Sequence, residues 1–135
     1  MIKLMIGVKG TGKTKALIDR ANSALAATNG NVVVLEKGDK LRYDIGYQVR
    51  LINTNDYLIG DASSLIGFIA GILASNSDVT DVLVDSALKI AGEDVAAFEA
   101  SLGKLEQLTA VQKVNIFMTV SMPVENVSDT LKKFM

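Results

Sequence analysis

The pattern G-x-x-x-x-G-K-[ST] stands near the start of this chain, as Gly7-Val8-Lys9-Gly10-Thr11-Gly12-Lys13-Thr14. Glycines at these spacings let successive backbone N–H groups turn inward around one anion. Lys13 is then placed to reach the outer phosphates of a nucleotide, and the Thr14 hydroxyl to ligate Mg²⁺. A helix beginning here adds the positive end of its dipole. Such a loop needs a strand before it and a helix after it. Ile2-Lys3-Leu4-Met5-Ile6 is an apolar run suited to a buried parallel strand. From Lys13 to Ala27, apolar residues at Leu17, Ala21, Ala24 and Leu25 form a helical stripe, and Asn29-Gly30 reads as its stop. The eight residues, with Lys15 just beyond them, are expected to bind phosphate. The competing reading is a glycine-rich turn with an incidental lysine, which leaves the flanking strand and helix unexplained.

The rest of the chain alternates in the same way. Asn31-Val32-Val33-Val34-Leu35 is a second β-branched run, ended by the turn-like Lys37-Gly38-Asp39. Leu41 to Thr54 reads either as a hairpin around Gly46-Tyr47 or as an irregular loop leading into an edge strand. Alternation at Val49 and Leu51 suits the edge. Asp61-Ala62-Ser63-Ser64 offers N-caps for a helix carrying Leu65, Phe68, Ile69, Ile72 and Leu73. Within it, Gly67 and Gly71 read as points of close backbone packing on the sheet. Val79 to Asp85 is the next strand. Glu93 and Asp94 lie where negative charge favours a helix start, before a buried stripe of Val95, Phe98, Leu102 and Leu105. Val114 to Val120 is the last strand, Ser121-Met122-Pro123 ends it, and Val127 to Phe134 predicts a short terminal helix. Strands alternating with helices predict an α/β fold with a mostly parallel sheet of about five strands, flanked by helices. Ligands of such sheets bind at the carboxyl ends of the strands. The loop, Asp85 and Ser121 all fall at such ends.

At 135 residues, one domain spanning 1–135 is expected. With 14 basic and 15 acidic residues, no basic excess points to a nucleic-acid partner. Cysteine and histidine are both absent, which removes disulfides, thiol nucleophiles and imidazole acid–base chemistry. The longest apolar stretch, Leu65 to Ala74, is too short to cross a bilayer. No signal peptide is visible before the first strand. A cytoplasmic protein without a membrane partner is the expectation.

Val82-Leu83-Val84-Asp85 ends an apolar strand in a carboxylate. An acid at such a position can hold Mg²⁺ opposite the loop threonine, although strand-end aspartates also serve as turn or cap residues. Gly7–Thr14, a Walker A pattern, together with this strand, resembles the P-loop NTPase superfamily. The whole chain is also similar to short stand-alone bacterial P-loop proteins described only as ATP-binding. The similar segments are Gly67-Phe68-Ile69-Ala70-Gly71-Ile72, Val84-Asp85-Ser86-Ala87-Leu88-Lys89-Ile90 and Thr119-Val120-Ser121. That resemblance implies a three-layer P-loop NTPase fold of the additional-strand type, with the Ser121 strand between the loop strand and the Asp85 strand. It implies a bound nucleotide, and with no base-specific motif in the chain, frequency alone favours ATP, with GTP the next choice. Mg²⁺ would be held by Thr14 and Asp85, with Lys13 on the phosphates.

The departures from that pattern matter as much. Many ATPases of this class carry a water-polarising glutamate directly after the Mg²⁺ aspartate, and here Ser86 stands there. Glu93 is the next carboxylate, either a water-activating base or simply a helix N-terminal charge. Ser121 either senses the γ-phosphate or is an ordinary turn serine. The three arginines are Arg20, Arg42 and Arg50. Arg20 is expected to point away, while Arg42 and Arg50 either meet nucleotide or another subunit or are solvated. Tyr43 or Tyr47 could stack on a base. The expected function is Mg²⁺–ATP binding with slow NTP hydrolysis at most, acting as a switch with a protein partner or as a homo-oligomer. Lys13, Asp85, Glu93 and Ser121 would be the catalytic set, and loop 37–50 would respond to the γ-phosphate. The alternatives are a small phosphotransferase resembling nucleotide kinases, and a scaffold module without turnover.

Overall fold

Val32, Val33, Val34 and Leu35 are buried without a break, as residues of a parallel strand covered on both faces must be. A computed structural model describes residues 1–135. Strand β1 spans Ile2–Gly7, helix α1 Lys13–Ala27, β2 Asn31–Glu36, β3 Arg50–Asn53 and α2 Ala62–Ser75. Then follow β4 Val79–Val84, α3 Ala87–Ile90, α4 Val95–Val111, β5 Asn115–Ser121 and α5 Asp129–Lys132. Short 3₁₀ turns occupy Lys40–Tyr43, Thr54–Tyr57 and Val124–Asn126. The five strands make one sheet in the order β1-β5-β4-β2-β3, and every neighbouring pair is parallel. No helix is long and apolar enough to cross a membrane.

Side chains along each strand alternate between two cores, because successive Cβ atoms point to opposite faces. Val32 and Val34 join Leu17 and Ala21 of α1 in a cluster of 9 buried residues on one face. Val33 and Leu35 face a larger cluster of 29, which includes Leu65 and Ile69 of α2, Phe98, Leu102 and Leu105 of α4, and Leu131 of α5. Helices therefore cover both faces, giving three layers. Each fully buried Leu, Ile or Phe in these clusters stabilises the fold by about 1.5–3 kcal/mol through burial.

The segment after β2 does not form a hairpin. β3 runs parallel to β2, and a parallel pair needs a crossover. The segment before β3 provides it, burying Leu41, Ile45 and Val49 in the same cluster as α1. The irregular-loop reading is thus the one realised.

Three details of the sequence reading are corrected. Gly67 and Gly71 do not pack on the sheet: both are exposed, and a Cβ at either would meet nothing within 4 Å. Leu65, Ile66, Ile69 and Leu73 form the buried face of α2, and Gly67 lies about 200° round the helix from Leu65. Val95 is the second correction. It is 38% exposed, because it sits in the first turn of α4, and the buried stripe begins one turn later at Phe98 with Ser101, Leu102 and Leu105. The terminal helix is shorter than expected, since Ser128 caps it through Leu131 N–H and only Asp129–Lys132 is helical.

Caps set the other helix starts. Asp61 accepts from Ser64 N–H at 2.7 Å, while the Ser64 hydroxyl accepts from Asp61 N–H at 3.2 Å, a reciprocal capping box. The Ser64 backbone bond, then its side-chain bond, hold the Asp61 carboxyl below its ordinary 3.8. Asp94 caps α4 by accepting from Ala97 N–H at 3.1 Å.

Candidate functional site

Parallel register lines up the tips of four adjacent strands. Gly7 of β1 pairs with Ser121 of β5, Val84 of β4 pairs with Met118 of β5, and Leu35 of β2 pairs with Val84. One residue further along, Asp85, Thr119 and Glu36 therefore fall in one row across the carboxyl edge of the sheet. A cavity of about 520 Å³ opens over that edge. Lys9, Gly10, Gly12, Lys13, Thr14 and Lys15 line one side of it, and Asp85, Glu93 and Ser121 line others. Gly7, Val8 and Thr11 shape the loop without lining the cavity.

The Gly7–Thr14 loop has the conformation its glycines permit. Gly10 has φ 87° and Gly12 φ 84°, a left-handed backbone that side chains with a Cβ resist. None of the amides from Gly10 to Lys15 donates to another backbone carbonyl. Four N–H groups at any helix start lack an internal partner, and here they stand beside the cavity. Lys13 is buried, and its Nζ donates to the Val8 carbonyl at 2.8 Å and to Thr11 Oγ1 at 3.5 Å. Its ammonium is thus folded back over the loop. A row of free amides with an ammonium over it has the chemistry to accept an anion.

Opposite the loop, Thr14 Oγ1 donates to Asp85 Oδ1 at 3.3 Å. A second hydroxyl holds the same oxygen: Thr119 Oγ1 donates to Asp85 Oδ1 at 2.8 Å while accepting from Ser86 N–H at 2.7 Å. Its single proton goes to the carboxylate because the amide can only donate. Ser86 takes a left-handed φ of 57°, which costs a non-glycine residue about 1–3 kcal/mol. That turn lets the chain leave β4 at Asp85 and bury Ala87 at once. Thr119→Val is expected to lower stability by about 1–3 kcal/mol, since it leaves Ser86 N–H without an acceptor and removes a donor from Asp85. Thr119→Ser should retain most of it. Urea denaturation of both variants measures the difference.

Glu36 is the residue the sequence reading missed most clearly. It is 4% exposed and lines the cavity, and its two oxygens accept from Lys40 N–H at 2.7 Å and Leu41 N–H at 3.3 Å. The signal was present: Val-Val-Val-Leu-Glu repeats the form of Val-Leu-Val-Asp, an apolar strand ending in an acid. Thr119 was visible too, as a polar residue inside Ile116-Phe117-Met118-Thr119-Val120. Lys40 and Lys89, also on the cavity wall, carried no such signal.

The arginines stay outside. Arg20 lies over the Phe117 ring at 4.3 Å, in a cavity of about 350 Å³ at the opposite edge of the sheet. Arg42 pairs with Asp39 at 3.4 Å, and Arg50 Nη1 donates to the Leu51 carbonyl at 3.4 Å. Tyr43 and Tyr47 are 84% and 91% exposed, and neither lines the cavity. No group of three or more His, Cys, Asp or Glu side chains gathers to hold a metal by itself. No protein-family model matches the chain, and no curated protein matches it.

Proposed function

We propose that this chain is a P-loop protein of the additional-strand type that binds ATP, or GTP, together with Mg²⁺. The observation that carries the reading is the meeting of a left-handed glycine loop, free amides and Lys13 with a hydroxyl–carboxylate pair, Thr14 and Asp85, at 3.3 Å. The position of β5 between the loop strand β1 and the acid strand β4 supports the same class. The pair fits Mg²⁺, a hard ion that keeps several waters and takes few protein oxygens when phosphates supply the rest. When bound, the ion neutralises charge on the outer phosphate oxygens.

Lys13 would leave the Val8 carbonyl and donate to those oxygens, and the amides of Gly10 to Lys15 would donate to the phosphates nearer the sugar. Thr119 holds Asp85 with one oxygen fixed and the other free. Turnover is slow in this reading, because Ser86 follows Asp85 where a water-polarising acid would stand. Glu93, on the cavity wall, is the exposed carboxylate able to take that role, and Ser121 can donate to a terminal phosphate. A switch role, with a protein partner or a second copy reading the change, is supported by Glu36. It links the cavity wall to the amides of Lys40 and Leu41, so movement at the strand tips would reach loop 37–50.

Titration calorimetry of the full chain with ATP and GTP, with and without Mg²⁺, tests the reading. Saturable binding that strengthens with Mg²⁺ is expected, and no binding of either nucleotide rejects it.

A further inference from the structure

We infer that the cavity reads the phosphate chain through charge and leaves the base unread, so that its ligands are nucleoside triphosphates of any base together with inorganic triphosphate. This deepens the P-loop reading and rests on it. A site that discriminates between bases does so with buried directional groups, which the wrong base leaves unpaired, or with an aromatic face on which a preferred base stacks. The buried polar side chains on the wall, Lys13, Glu36 and Thr119, already hold partners inside the protein, and no aromatic face lines it. The wall carries no Asn, Gln, aromatic or arginine side chain, and Leu41 is its one hydrophobic residue. Its hydroxyls are partly spent, since Thr14 and Thr119 both donate to Asp85.

Charge is what the wall does supply. Five lysines line it against three carboxylates, and one of those, Glu36, is engaged by two amides. The chain has four ion pairs, and none involves Lys9, Lys40 or Lys89. These ammonium groups come from three separate elements: the loop, the 3₁₀ turn after β2, and α3. Lysine meets any phosphate oxygen as a point charge and carries no information about a base. The tyrosines that might have stacked stand outside the cavity wall. Tyr43 has its own Arg42 guanidinium over the ring at 4.9 Å, and Tyr47 projects into solvent.

The test is calorimetric titration of the full chain with ATP, GTP, CTP, UTP and inorganic triphosphate, each with Mg²⁺ at one fixed ionic strength. All five are expected to bind with dissociation constants within about tenfold of one another. A preference of tenfold or more for one base overturns the inference and leaves nucleotide binding standing, and so does a triphosphate that fails to bind where nucleotides do. If none of the five binds, the P-loop reading falls and this inference with it. Lys40→Ala and Lys89→Ala give a second measurement: each should weaken ATP and inorganic triphosphate by the same factor, about two- to fivefold. A loss confined to ATP would place these lysines on the nucleoside and overturn the inference.

Discussion

Lys13→Ala is expected to weaken Mg²⁺-dependent ATP binding by about 10- to 100-fold, the range set by losing a charge-assisted hydrogen bond to phosphate. The side chain is buried, with Nζ 2.8 Å from the Val8 carbonyl, so its ammonium is already partly withdrawn from water before any ligand arrives. Exchanging that carbonyl for a phosphate oxygen then gains more than the same exchange would at an exposed lysine. The variant should still fold. The Val8 carbonyl keeps a donor in Thr11 Oγ1 at 2.8 Å, and the glycine conformations of the loop do not depend on the lysine. Calorimetry gives the affinity, and far-ultraviolet circular dichroism with a urea midpoint controls for folding. Binding within twofold of the parent protein would remove Lys13 from the site and leave the loop with a structural role alone.

Phe98→Ala is expected to destabilise the protein by about 3–5 kcal/mol, a large part of the roughly 5–15 kcal/mol available to a domain. Phe98 is fully buried in the larger core, among residues of α2 and the sheet. Removing its ring deletes transfer energy and leaves a cavity that the surrounding helices close only partly. The urea midpoint should fall while the slope stays constant, marking a change in stability rather than in the unfolded ensemble. Val95→Ala in the same helix serves as the control. Val95 is 38% exposed, and its truncation should cost less than about 1 kcal/mol. Equal losses at the two positions would contradict the placement of the buried stripe.

Much of the local structure was legible in the residues. Helix α1 runs over Lys13–Ala27, the span its stripe and the Asn29-Gly30 stop predict. Strands β1 and β2 lie on their apolar runs, because a strand buried on both faces tolerates little else. Legibility failed where a local pattern has two physical outcomes. A G-x-x-x-G spacing allows close approach but does not say which helix face meets a neighbour, and in α2 the larger aliphatic residues take that face. The 41–54 segment allowed a hairpin or an irregular loop leading into an edge strand, and the parallel direction of β3 chose between them. Helix α3 is too short for periodicity to reveal. It exists because Ser86 turns and Ala87, Leu88 and Ile90 are buried.

The site divides along the same line. The left-handed glycines, the lysine over the loop and the helix beneath it follow from eight consecutive residues, since backbone sterics act between neighbours. Which polar groups meet them is a matter of strand order. Thr14 reaches Asp85 across 71 residues, and Thr119 reaches it across 34. Placing β5 between β1 and β4, and β2 on the far side of β4, sets Thr119 and Glu36 on either side of Asp85. No short-range pattern encodes that neighbourhood. It comes from parallel pairing across the whole sheet, whose register is specified because helices bury both of its faces.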